Sequence, residues 1–133
     1  MIMEKRERVI QFLKTNYKGE FVVSETPNED GKFEVSSNGS LELINKDAKS
    51  LVSDEFIFTK VKQFSCESCT LLKSLEGGPK EVDTFYCLCC DNLVSIKGAP
   101  KTANVFSCEC CHALTSLEGA PQEVKKFNCG GCE

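Results

Sequence analysis

From Cys66 onward the 133-residue chain carries ten cysteines, eight of them in four C-x-x-C pairs: Cys66/Cys69, Cys87/Cys90, Cys108/Cys111 and Cys129/Cys132. Seventeen residues separate successive pairs. C-x2-C-x17-C-x2-C is a spacing at which two knuckles of thiolates can close a tetrahedral zinc site. A single C-x-x-C is also the motif of a dithiol–disulfide couple, but only at a helix N-terminus, where the thiolate is stabilised. Cys89 and Cys110 fall inside the second and third pairs. With Asp91 and His112 at matching offsets they read either as incidental surface residues or as a surface metal group or oxidisable pair. His112 is the only histidine and has no evident orienting partner, so histidine acid–base chemistry has one isolated candidate. No G-x-S-x-G, phosphate-binding glycine loop or H-E-x-x-H occurs. The chain reads as a non-enzyme.

The residues between the cysteines repeat as faithfully as the cysteines do. FSCESCTLLKSLEGGPKEVDT, FYCLCCDNLVSIKGAPKTANV and FSCECCHALTSLEGAPQEVKK are followed by FNCGGCE, placing Phe64, Phe85, Phe106 and Phe127 at intervals of 21. A fixed period of this size is the signature of a solenoid whose units cannot bury their apolar faces alone. A zinc ribbon has no use for leucine, proline and valine at the same offsets in every unit. Val82, Phe85, Cys87, Cys90 and Leu93 follow the order apolar-x-x-apolar-x-apolar-x-x-Cys-x-x-apolar, one residue longer at its last step than the leucine-rich repeat pattern. Alternation at Phe85 and Cys87 predicts a short strand with both side chains inward and Tyr86 outward. Gly77, Gly98 and Gly119 release the backbone into a turn, and Pro79, Pro100 and Pro121 suit an extended return better than a helix. In this register the paired cysteines are core thiols, small buried hydrophobes with a weak S–H donor for the turn carbonyls. The expected cofactor is therefore none, with zinc on the four pairs as the alternative.

At SLEGGP, SIKGAP and SLEGAP the chain resembles the short leucine-rich repeat proteins of bacteriophages and bacteria, whose units read roughly F-x-C-x-x-N-x-L-x-S-L-x-G-A-P-x-x-V. The resemblance is firm over 64–133 and loose over 41–63, and it departs at Cys69, Cys90, Cys111 and Cys132, where that family usually has Asn. It implies a solenoid and a habit of binding proteins, and it raises a phage protein acting on a host factor in the host cytoplasm. It implies no chemistry.

The elements ahead of the repeats must close the solenoid's first edge. Val9, Ile10, Leu13 and Tyr17 share one face of an amphipathic helix over 3–18, with Gly19 as its stop. Phe21–Ser24 and Phe33–Val35 alternate as strands do, Asn28-Glu29-Asp30-Gly31 is a turn, and Asn38-Gly39 between FEVSS and SLELI is a hairpin signal. Residues 1–40 thus read as a helix and β-hairpin cap, 41–63 as a degenerate first repeat and 64–133 as three full repeats with a final strand.

Charge narrows the partner class. Residues 1–18 carry +3, 19–63 carry −4 and 64–133 carry −3, and tryptophan is absent, so neither a nucleic-acid groove nor a membrane surface is indicated. The N-terminus has early charges and no apolar core or cleavage site of a secretory signal, and the cytoplasm is the expected compartment, with thiols reduced. The fold class expected is an α+β repeat protein, a short leucine-rich-repeat solenoid that binds a protein partner on its sheet face. The candidate contact residues are Ser65, Glu67, Thr84, Tyr86, Leu88, Val105, Ser107 and Glu109, with the apolar Tyr86, Leu88 and Val105 at the centre. A monomer is expected, or a homodimer joined edge to edge through the last strand.

Overall fold

The computed structural model describes residues 4–131, so Cys132 and Met3, the first residue of the expected helix, lie outside the described residues. One short helix, α1 (Lys5–Asn16), precedes β1 (Tyr17–Gly19), β2 (Val22–Val23), β3 (Phe33–Leu43), β4 (Phe56–Ser65), β5 (Glu81–Tyr86), β6 (Thr102–Ser107) and β7 (Glu123–Asn128). Strands β3 to β7 run parallel in one sheet in chain order, and β1 and β2 lie antiparallel on the free side of β3. The chain is a parallel-strand solenoid with a helical cap.

Each turn of the coil follows from its apolar offsets. Val82, Phe85 and Cys87 point inward from β5, and Ala103, Phe106 and Cys108 do so from β6; all are buried. Phe64, Phe85, Phe106 and Phe127 form one column with ring centroids 5.3, 5.3 and 5.4 Å apart. On the return side Leu72, Leu75, Leu93 and Ile96 are fully buried. The serine of each S-L or S-I step holds the bend: Ser74 Oγ, Ser95 Oγ and Ser116 Oγ accept the N–H two residues on, from Glu76, Lys97 and Glu118. Such local bonds give the backbone a turn in place of a ladder. Ser50 Oγ accepts the Val52 N–H in the same way at 3.0 Å, so the segment after β3 bends as a repeat does. At Gly98 (φ 93°) the return turn passes so close to the previous one that a Cβ would collide with the Leu75–Glu76 backbone.

Hydrophobic contacts and backbone carbonyls tie the cap to the sheet. Val9 and Leu13 of α1 are buried, and Tyr17 meets Phe58 edge-on at 5.5 Å. Arg6 donates to the carbonyls of Ser24 and Val23 at 3.0 and 3.1 Å, and Lys5 Nζ donates to that of Gly31 at 2.6 Å. Asn28 to Gly31 form the expected turn, with Asn28 Oδ1 accepting from the Asp30 and Lys32 amides.

Three sequence expectations differ from the fold. No hairpin forms at Asn38-Gly39: β3 runs through it, and the irregularity survives as register shifts between Val35 and Ser40. Phe33, Val35, Ser37, Leu41 and Leu43 are buried at odd positions on both sides of the dipeptide. The inward alternation lapses over the exposed Asn38, Gly39 and Ser40 and resumes at Leu41 on the same face, and parallel pairing of both halves with β4 outweighs the turn preference. The strand also crosses the expected boundary between 40 and 41. Gly19 is not the helix stop, since α1 ends at Asn16 and Tyr17 already pairs with Leu43. With φ 130° and no Cβ, Gly19 instead lets β1 lie against the Ser40 carbonyl.

Candidate functional site

The outward positions of the parallel strands form straight rows. Gln63, Thr84, Val105 and Lys126 are register partners across four strands, and Glu42, Ser65, Tyr86, Ser107 and Asn128 across five. Tyr86 and Val105 therefore stand on adjacent strands in adjacent rows. Leu88 follows Tyr86 outward by two residues, and the Leu88 carbonyl accepts the Ser68 N–H at 2.8 Å. Thr84, Tyr86, Leu88 and Val105 are half-buried and Glu67 is exposed.

Not every candidate reaches solvent. Ser65 and Ser107, which flank Tyr86 in its row, are only 7% and 3% exposed. They back the tyrosine and do not extend the face. Glu109 is turned sideways, accepting from Asn128 Nδ2 at 2.6 Å and from Ser107 Oγ at 3.4 Å. Its carboxylate completes a polar chain on the sheet and is not a free acid–base group.

Sequence reasoning missed a second feature of this face. Lys60 pairs with Glu81, Glu81 with Thr102 and Thr102 with Glu123, and Asn104 Nδ2 donates to Asp83 Oδ1 at 3.3 Å. A shallow depression of about 440 Å³ opens among Asp83, Thr102, Asn104, Glu123 and Lys125. Its signal was present in the polar residues flanking Val61, Val82, Ala103 and Val124, but nothing in their types converges on one reaction.

Behind the sheet the thiols form a ladder. Cys90 Sγ donates to the Cys66 carbonyl and Cys111 Sγ to that of Cys87, each at 2.9 Å. In the opposite direction Cys66 Sγ donates to the Tyr86 carbonyl at 3.7 Å and Cys87 Sγ to the Ser107 carbonyl at 3.4 Å. Sulfur thus makes the inter-turn bonds to carbonyl oxygen that an amide would otherwise make, with a weaker donor. Cys66, Cys69, Cys87, Cys90, Cys108 and Cys111 are fully buried, Cys110 and Cys129 are half-buried and Cys89 is exposed.

Burial and mutual contact set the ionisation of these groups. The Cys90 thiol beside it, then burial, hold Cys66 well above the ordinary thiol value; Cys111 and burial do the same for Cys87. Cys69 is drawn down by the Cys90 thiol, against burial and with help from Lys46. Among the described residues no cluster of three or more His, Cys, Asp or Glu is arranged to hold a metal ion. Asp91 and His112 are exposed near Cys89 and Cys110 without forming such a group. Among the described residues no helix is long and apolar enough to cross a membrane. No family model matches this chain, and searches of curated proteins and of solved structures return no match.

Proposed function

We propose that the chain is a non-enzymatic scaffold that binds a protein partner on the outer face of its parallel sheet. The observation that carries this reading is the grouping of half-buried Tyr86 and Val105 on neighbouring strands with Leu88 in the turn just after β5, in a face otherwise built mainly of serine, threonine, asparagine, glutamine, glutamate and lysine. An aromatic and two aliphatic groups inside a polar surround have the composition of an interface core with its rim, and tyrosine is enriched among residues that dominate binding energy. Rigid rows on a repeat scaffold add support, since binding to a preorganised surface orders fewer groups. Thr84 and Glu67 supply polar rim. The phage resemblance extends the proposal to a host protein as the partner class.

The test is a photo-cross-linker placed at Thr84, with the captured species identified by mass spectrometry. Tyr86→Glu and Leu88→Glu should each change folding stability by about 1 kcal/mol or less, as changes at partly exposed positions usually do, and should abolish the cross-link. If both variants capture the same protein as the parent, recognition lies elsewhere on the molecule.

A further inference from the structure

Among the described residues, the third position of the C-x-x-C spacing is where residues other than glycine take a positive φ. Ser68, Cys89 and Cys110 have φ of 55°, 55° and 59°, and Gly131 takes the same place at 78°. The left-handed region favours glycine and penalises a Cβ. Serine and glycine occupy the position in the first and fourth units, so the turn does not require cysteine.

Packing does not explain these two cysteines either. Cys89 is exposed and Cys110 half-buried, unlike the six thiols of the core. Yet the turns stack them. The Cys89 N–H donates to the Glu109 carbonyl at 2.9 Å and the Cys110 N–H to the Gly130 carbonyl at 2.8 Å, which holds successive turns in register at this level. Neighbouring parallel strands lie ~4.8 Å apart, within the ~4.4–6.8 Å between Cα atoms that a disulfide spans. These two bonds and the 21-residue offset place Cys89 and Cys110 at equivalent positions on adjacent turns. Desolvation first, then the neighbouring Cys110 thiol, holds Cys89 above the ordinary thiol value.

We propose that Cys89 and Cys110 form a surface dithiol that closes to a disulfide between turns by exchange with a low-molecular-weight disulfide such as oxidised glutathione. The thiolate of one cysteine attacks a sulfur of the small disulfide, forming a mixed disulfide and releasing one small thiol. The second cysteine then attacks the protein sulfur of that mixed disulfide, forming the Cys89–Cys110 bond and releasing the second small thiol. Two protein S–H groups become one S–S bond, and the external disulfide takes up the two electrons and two protons as two thiols. The buried thiols are inert to this exchange while the coil is closed, because reactivity requires access.

The experiment uses the full chain, purified reduced, incubated folded with oxidised glutathione, quenched in acid and mapped by peptide mass spectrometry. The parent should lose two thiols, yield a Cys89–Cys110 linked peptide and retain no glutathione. Cys89→Gly and Cys110→Gly both suit the left-handed turn and should fold; each should retain one glutathione, on the cysteine that remains. The double variant should form no linked peptide and consume less glutathione disulfide than the parent, with any adduct on half-buried Cys129 read separately in the same map. Glutathione retained on both cysteines of the parent overturns the proposal, as does a link that includes any other cysteine. A double variant that consumes as much glutathione disulfide as the parent overturns it as well.

Discussion

The aromatic rings at the two ends of the molecule pack differently. At the N-terminal end, Phe12 and Tyr17 of the cap and Phe56, Phe58 and Phe64 of β4 meet at interplanar angles from 48° to 81°. In the repeats, Phe64, Phe85, Phe106 and Phe127 meet at 28°, 20° and 20°. The spacings are nearly the same, so the contrast lies in orientation. Where the chain repeats every 21 residues, each ring sits in a copy of its neighbour's surroundings and lies within 28° of parallel to it. Between β3 and β4 the register steps by 23, then 24, then again 23 residues, the surroundings differ, and the rings interlock at steep angles. Both arrangements are favourable for aromatic pairs, but only the stacked one can be extended by adding units.

That contrast breaks first at the column itself. Phe85 is fully buried between two stacked rings, whereas Phe12 in the cap is 48% exposed. Phe85→Ala should cost about 3–5 kcal/mol, as truncation of a core phenylalanine does, and Phe12→Ala about 1 kcal/mol or less. Urea titrations of the two variants give the comparison, and equal losses would contradict the register described here.

Backbone spacing offers a second comparison. Gly98→Ala in a repeat turn must adopt φ 93° and meets the Leu75–Glu76 backbone, whereas Gly31→Ala in the cap, at φ 77°, meets nothing within 4 Å. Left-handed strain of about 1–2 kcal/mol applies to both, and overpacking adds about 1–3 kcal/mol at Gly98 alone. Thermal melts of the pair should separate accordingly, and similar melting points would mean that the repeat turn can give way.

Alkaline pH sharpens the difference less, but in a way specific to the repeats. Cys66 and Cys87 stay protonated in the folded coil above the ordinary thiol value of 9.0. Between that value and the raised folded values the unfolded chain binds fewer protons, so stability falls as pH rises. Each of the two thiols contributes a slope of about 1.4 kcal/mol per pH unit. Below pH 9 their contribution is fully present and constant. Chemical denaturation at pH 8 and pH 10 measures the effect, and the loss of stability between the two should be smaller in a Cys66→Ala/Cys87→Ala variant than in the parent.

The repeat half was legible in the sequence because each inward position recurs and a fixed offset carries its burial from one unit to the next. The cap was legible only in kind. Asn38-Gly39 is a strong local signal, but the inward alternation that lapses there resumes on the same face at Leu41, and pairing with β4 decides the outcome. Gly19 looked like a helix stop because a neighbour 22 residues ahead in the sequence, Leu41, is invisible to local reading. On the sheet face the rows were legible and the exposures were not. Period two assigns Ser65 and Ser107 outward, but a small side chain beside a tyrosine is buried whichever way it points. The left-handed position was visible in principle, since Gly131 stands where Ser68, Cys89 and Cys110 stand. One glycine among four residues is a faint signal without the backbone angles.

The buried thiols also make the coil a recorder of its own opening. In a stacked array each turn contacts only its neighbours, so turns separate with individual free energies. Cys66 and Cys69, Cys87 and Cys90, and Cys108 and Cys111 give three successive turns a fully sealed pair of thiols each. An alkylating reagent too large for the closed core can label a turn only during the moments that turn is open. Labelling rates resolved by peptide therefore read the opening equilibrium turn by turn along the axis, without any engineered probe. A coil that frays from one end would write that direction into the order in which its cysteines are labelled.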